Sequence, residues 1–267
     1  MMKRRNDDKI PLRRALTYIA ASMVIVGGAA FGAFLSYTQL SNLHRNDPKF
    51  NLTTIVQKSS ASNSLQTAYL TELLELSKDK PINLYRFSVK EGEQKLNESP
   101  LIKKASLKKV KPGSLFVEYK MRTPTAILGD FTNTAIDKEG YLIPLKPFFN
   151  FKNLPIIYLG LDEIHWGDQL NGPKTEIALA LSKVLEAKKL KVKIIDVSKA
   201  YDLSYGQRQI LIQLKEKGIT LIRLSTKNYL QELANYLTMR SHLNQLDQAE
   251  TVIIDLRIPH LAFIEKN

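Results

Sequence analysis

Hydrophobic and polar positions fall into three regimes along the chain. Residues 15–43 are twenty-nine positions without one Asp, Glu, Lys, Arg or His. At ~1.5 Å rise per residue, roughly 20 apolar residues cross ~30 Å of hydrocarbon, and residues 16–35 alone supply twenty. The run predicts a transmembrane helix. Tyr18 and Tyr37 stand near its two ends, where aromatic side chains suit the membrane interfaces. The alternative is a cleaved secretory signal, since Ala29, Ala30, Gly32 and Ala33 are small; the apolar run is about twice the typical 7–15 residues of such a segment.

The second regime mixes periods of two and of 3.6. Residues 41–49 are polar and predict a connector, and residues 50–57 alternate as a first strand. A helix is expected over 65–77, with Leu70, Leu73 and Leu74 on one face. Ser88 and Glu91 have the spacing of a capping box, which opens a short helix closing at 97–100. Strands over 102–110 and 114–122 flank Lys111, Pro112 and Gly113, whose preset φ and permissive glycine suit a turn. On the second of these strands Leu115, Val117, Tyr119 and Met121 point one way, the signature of a sheet with one covered face. The order is β-α-α-β-β, two helices on a three-stranded sheet.

The third regime is richer in strands. Ala135 and Ile136 face Tyr141, Leu142 and Ile143 across Lys138, Glu139 and Gly140, which predicts a hairpin. Residues 154–159 read as a strand. Pro173 can open a helix with Ile177, Leu181, Val184 and Leu185 on one face. Strands follow at 192–197, 209–214 and 219–224, with Gly218 turning the last two, then a helix capped by Ser225 with Leu230, Leu233, Ala234 and Leu237 as its stripe. The chain closes in strand, 251–257 and 261–265. The expected fold class is α+β, with one N-terminal transmembrane helix, a β-α-α-β-β domain, and a mixed β-rich domain carrying two helices and a C-terminal edge strand.

Charge orients this arrangement. The net charge is +13, and residues 1–14 hold Lys3, Arg4, Arg5, Lys9, Arg13 and Arg14 against Asp7 and Asp8. Basic flanks stay in the cytoplasm, so the tail is expected inside and the rest of the chain outside. The outer portion is itself basic, which serves solubility or could attract anionic lipid or acidic envelope polymers; nucleic acid is a poor fit, by compartment and by the lack of stacking motifs. Within the anchor, Gly28 and Gly32 form a GxxxG pair able to let another helix approach.

Several runs together resemble a known family. Residues 97–105 (NESPLIKKA), 111–115 (KPGSL) and 120–126 (KMRTPTA) resemble the POTRA domain of the FtsQ/DivIB cell-division proteins. The family's "P-x-V-x-x-A" step, "P-x-x-L-x-V" strand and "E-R-x-P-x-A" exit occur at similar spacing. Met121 stands where the family has Glu, and Lys58, Ser59 and Ser60 replace the glycine that follows its first strand. Residues 135–140 (AIDKEG) resemble the "L-I-D-x-x-G" opening of the family's second, β-rich domain. Residues 251–257 (TVIIDLR) resemble its "V-D-L-R-Y" signature, with Ile258 where Tyr is usual. The resemblance implies a cytoplasmic tail at 1–14, an anchor at 15–43, a linker at 44–49, a POTRA-like domain at 50–124 and a β domain at 125–267.

Chemistry is sparse by comparison. There is no cysteine, hence no thiolate nucleophile or zinc-finger site. His44, His165, His242 and His260 lack metal-ligand spacing, and no G-x-S-x-G, P-loop or G-x-G-x-x-G motif occurs. Asp162, Glu163 and Asp168 around His165 and Trp166 read as a polar loop with one anchoring side chain. No catalytic, cofactor-binding or metal-binding residue is expected, and no small-molecule substrate. A terminal edge strand instead invites β-augmentation. The resemblance implies a non-catalytic divisome scaffold at the septum, whose last strands receive a strand-and-helix segment of FtsB paired with FtsL. By motif position the contacts are Arg257, Ile258, His260, Ala262 and Ile264. The alternative is a polypeptide-handling POTRA component of an export or outer-membrane assembly system.

Overall fold

A computed structural model of the chain describes residues 12–60, 64–151, 153–215, 220–243 and 252–266. The fold is α+β, one long apolar helix followed by a three-stranded and a nine-stranded sheet. Gly218 lies outside the described residues.

Helix α1 (Leu12–Asn46) is long and apolar enough to cross a membrane, and none of its apolar window is buried within the protein. It absorbs most of the connector expected over 41–49. Residues 41–47 hold no Pro or Gly to break the helix before Pro48, whose ring disfavours helical backbone at Asp47. Asp47 accordingly turns extended (φ −79°, ψ 119°) and caps a 3-10 turn, Pro48–Phe50, by accepting from the Lys49 amide at 2.9 Å. The expected first strand therefore starts four residues later, as β1 (Thr54–Ser59).

The end of α1 is seated on the three-stranded lobe. The Asn83 amide donates to the His44 and Asp47 carbonyls at 3.1 and 3.0 Å, satisfying groups that a helix terminus leaves orphaned. The His44 ring stacks on Tyr85 at 5.2 Å, and Phe50 meets both rings edge-on at 5.1 Å.

In that lobe α2 (Thr67–Leu73) is shorter than the 65–77 expected. Glu75 adopts left-handed backbone (φ 53°) and Leu76 N donates to the Thr71 carbonyl, a closure that stops the helix. Helix α3 (Val89–Glu98) opens where Ser88 Oγ accepts from the Glu91 amide. Strands β2 (Ile102–Val110) and β3 (Ser114–Met121) form the hairpin, and β1 joins β3 in parallel, giving the order β1-β3-β2. Leu70, Leu96, Leu115 and Val117 are fully buried in its core.

The larger sheet takes β4 (Pro124–Leu128), β5 (Thr134–Asp137), β6 (Leu142–Pro144), β7 (Ile156–Tyr158), β8 (Val192–Asp196), β9 (Ile210–Leu214), β10 (Thr220–Leu224), β11 (Val252–Asp255) and β12 (Phe263–Lys266). Their spatial order is β12-β11-β10-β9-β8-β7-β4-β5-β6. Helices α4 (Pro173–Ala187) and α5 (Tyr229–Leu243) complete one core with it, through Ile177, Leu181 and Leu185 of α4 and Leu233 and Tyr236 of α5.

Helix α5 departs from the expected stripe. Leu230 and Ala234 are exposed, while Leu233 and Tyr236 are buried. A buried carboxylate explains the rotation: Glu232 turns inward and accepts from the Ser225 amide at 2.6 Å. Ser225 Oγ caps the turn before the helix, at Asn228, rather than the helix itself.

A charged junction joins the two sheets. Arg122, just past β3, lies 3.0 Å from the Asp137 carboxylate of β5, and its guanidinium sits 3.5 Å over the Tyr141 ring. Asp137 also accepts from the Glu139 and Tyr141 amides at 2.8 and 2.9 Å, shaping a turn completed by Gly140 at φ +88°. Lys103 of β2 pairs with Glu139 beside it. Phe148 and Phe149, from the segment after β6, pack on the smaller lobe's core, Phe148 against Tyr69 at 5.1 Å.

Candidate functional site

The larger sheet aligns one residue from each of seven strands in a single row. Its registers run Leu128, Ile157, Ile195, Ile212, Ile222, Ile254, Ile264, each directly opposite the next. The first six are buried to 1% exposure or less; Ile264 is 45% exposed. β-branched residues at these positions favour strand and face α4 and α5. Their abrupt exposure at β12 has a simple cause, since among the described residues β12 is terminal in the sheet and hydrogen-bonded on one side only.

Three further exposed apolar residues stand beside it. Ile258 (50%) and Leu261 (55%) sit in the turn between β11 and β12, and Phe263 (53%) projects from β12 opposite Asp255. The turn and α5 are the two walls of a groove: Ile258, His260, Leu261 and Ala262 on one side, Asn235 and Met239 on the other. His260 holds the turn in left-handed backbone at φ 64°. Apolar side chains next to unpaired strand amides and carbonyls are the equipment for strand addition, with main-chain bonds supplying affinity and alternate side chains selectivity.

No protein-family model matches this chain, and no curated protein matches it.

Arg257 differs from the other four expected contact residues. Its Nε lies 2.9 and 3.1 Å from the Asp255 carboxylate oxygens, its Nη2 lies 2.6 Å from Oδ2, and its Nη1 donates to the Gly206 carbonyl at 3.1 Å. The side chain braces the exit of β11 against the segment before β9. Burial raises the Asp255 carboxyl, but the bonds from Arg257 and the charges of Arg257 and Arg223 outweigh it and hold the group below its usual range. Burial likewise opposes the Arg257 charge, while the hydrogen bond to Asp255, the larger influence, raises its pKa.

That shift sets a direction with pH. A carboxyl whose folded value is depressed contributes stability that is present above its unfolded value, about 4, and is lost as pH falls through the folded value. On acidification below about pH 4, the Arg257 Nε–H resonance is expected to shift and broaden as the brace opens. In Asp255→Asn that acid transition is absent; an unchanged transition in the variant would assign it to another group.

The other polar candidates do not converge. His165 and Asp168 are exposed and 3.6 Å apart, and the Trp166 indole donates to Thr134 Oγ1 at 3.2 Å, tying its loop to β5. Among the described residues no three His, Cys, Asp or Glu side chains gather around a common point. His44 belongs to the aromatic seat of α1, and the His242 side chain lies outside the described residues. Gly28 and Gly32 lie on one face of α1 with open space around them. Sequence reasoning missed Asn83 and the joint role of Arg122 and Asp137; for Arg122 and Asp137 the signal was available, two opposite charges at the rims of adjoining strand motifs.

Proposed function

We propose that this protein is a non-catalytic, membrane-anchored scaffold of the FtsQ/DivIB type, which orders septal cell-wall synthesis proteins by docking a partner strand on β12. The observation that carries the reading is the isoleucine row left half-exposed at Ile264. An added strand continues the row, pairs the free edge of β12, and brings any helix that follows it to the groove between α5 and the Ile258–Leu261 turn. A membrane-anchored coiled-coil partner of the FtsB/FtsL kind has both parts. Supporting it further are a span-length helix before the folded lobes and a smaller lobe in the order β-α-α-β-β that the resemblance implies. In this reading α1 crosses the cytoplasmic membrane with residues 1–14 inside.

The test replaces Ile264 with a photoreactive residue in dividing cells. A crosslink to an anchored coiled-coil protein, and concentration of the chain at midcell, are expected. Even distribution around the envelope, with no adduct at Ile264 or Ile258, would refute the scaffold. Ile264→Lys places an ammonium where the sheet core would continue. It is expected to weaken the partner at least about tenfold, roughly 1.4 kcal/mol, in a co-purification titration, with secondary structure unchanged.

A further inference from the structure

The excess positive charge is concentrated in one lobe. Between residues 44 and 124, fifteen Lys and Arg face eight Asp and Glu; from 125 onward eighteen face sixteen. Within the first lobe, Lys58, Lys95 and Lys103 are paired with Glu118, Glu75 and Glu139. Arg45, Lys49, Arg86, Lys109 and Lys111 are all exposed, and among the described residues none is paired with a carboxylate.

The fold gathers these five at the foot of α1. The β2–β3 turn lies against the chain leaving the helix: the Thr53 amide donates to the Gly113 carbonyl at 2.9 Å, and a Cβ on Gly113 would come within 2.1 Å of the Asn51 carbonyl oxygen. Lys111 Nζ stands 5.9 Å from the centroid of Tyr85, the ring stacked on His44. Arg86 bonds the Asn46 side chain on the last residue of α1. Lys109 is near enough to Arg45 that, after burial, that charge is what lowers its pKa. Asp47, the one carboxylate between residues 44 and 53, is occupied with the Lys49 amide.

Height above the bilayer follows from the helix. The uncharged run of twenty-nine residues is about 43 Å long, close to the ~40–45 Å of a hydrocarbon core with both head-group layers. Arg45 then emerges at the lipid surface, with exposed Leu43 and Val110 beside the cations.

We propose that Arg45, Lys49, Arg86, Lys109 and Lys111 form a collar that docks the first lobe on anionic phospholipid head groups of the membrane that α1 crosses. The proposal rests on the spanning reading of α1. Unpaired cations within a Debye length, ~10 Å, of a charged surface draw lipid phosphates without a shaped pocket.

The test is native mass spectrometry of the full-length protein from detergent micelles titrated with phosphatidylglycerol or phosphatidylcholine. Wild type is expected to retain phosphatidylglycerol at least about fivefold over phosphatidylcholine, the factor one surface cation supplies. K109E/K111E, two exposed positions, is expected to bring the ratio to parity, while K183E/K193E on the larger lobe leaves it unchanged. Equal retention of both lipids by wild type, or undiminished selectivity in K109E/K111E, overturns the collar. Displacement of the lipid by polyglutamate at equal charge would make this a general polyanion surface and overturn the lipid assignment. Carbonate extraction of membranes checks the span separately: a chain that washes off removes the anchor reading, and the lipid ratio is still decided by the titration.

Discussion

Asp137→Leu is expected to be the most damaging single substitution in the chain. Arg122 and Asp137 are 11% and 5% exposed at their side chains, so removing either leaves a charge buried without its partner, which costs about 3–5 kcal/mol. The two halves of the pair are not equivalent. Asp137 also accepts from the Glu139 and Tyr141 amides, so its loss orphans two backbone donors as well as the guanidinium. Arg122→Met leaves those turn bonds in place and is expected to cost less; Asp137→Asn keeps an acceptor for both amides and should fall nearest wild type. Urea unfolding of the four proteins checks the order. Equal losses for Arg122→Met and Asp137→Leu would show that the ion pair alone, and not the turn, holds the junction.

Ile222→Ala is the second large effect, about 2–5 kcal/mol, because a fully buried isoleucine flanked by Ile212 and Ile254 leaves a cavity its neighbours cannot close. Its informative comparison is Ile264→Ala, two strands further along the same row. There water already covers about half the side chain, and the expected cost is about 1 kcal/mol or less. Thermal unfolding of the two purified variants reads the difference directly. Similar losses would mean that the row does not end at β12 and that its outer edge is already covered.

Strand positions were legible because alternation survives in a sheet with one covered face: β3 buries Leu115, Val117, Tyr119 and Met121 as its pattern implies. The order of nine strands was not, since local period says nothing about which strand lies beside which; β4 bridging β5 and β7 is a property of long-range pairing. Helix α5 misled because Glu232 is buried on the Ser225 amide, which the apolar stripe alone does not reveal, so Tyr236 rather than Ala234 faces inward. The connector failed for a simpler reason. Polar residues 41–46 carry no helix breaker, and α1 runs on until Pro48 ends it.

At the candidate site the terminal strands were legible and the surroundings of each side chain less so. Asp255 and Arg257 stand two apart, hence on the same side of an extended chain, and that spacing foretells their pairing. Ile258 and Ile264 are exposed for different reasons, one in a turn and one on an edge, a distinction that requires the sheet order.

The seat of α1 on Asn83, Tyr85 and Phe50, followed by the Arg122–Asp137 junction, removes slack between anchor and rim. A head without a swivel has a compass bearing. On the proposed reading of α1 as a span and β12 as the docking edge, spinning the helix about its own axis sweeps β12 around like the hand of a dial, and a partner held in the same membrane would engage it from one azimuth.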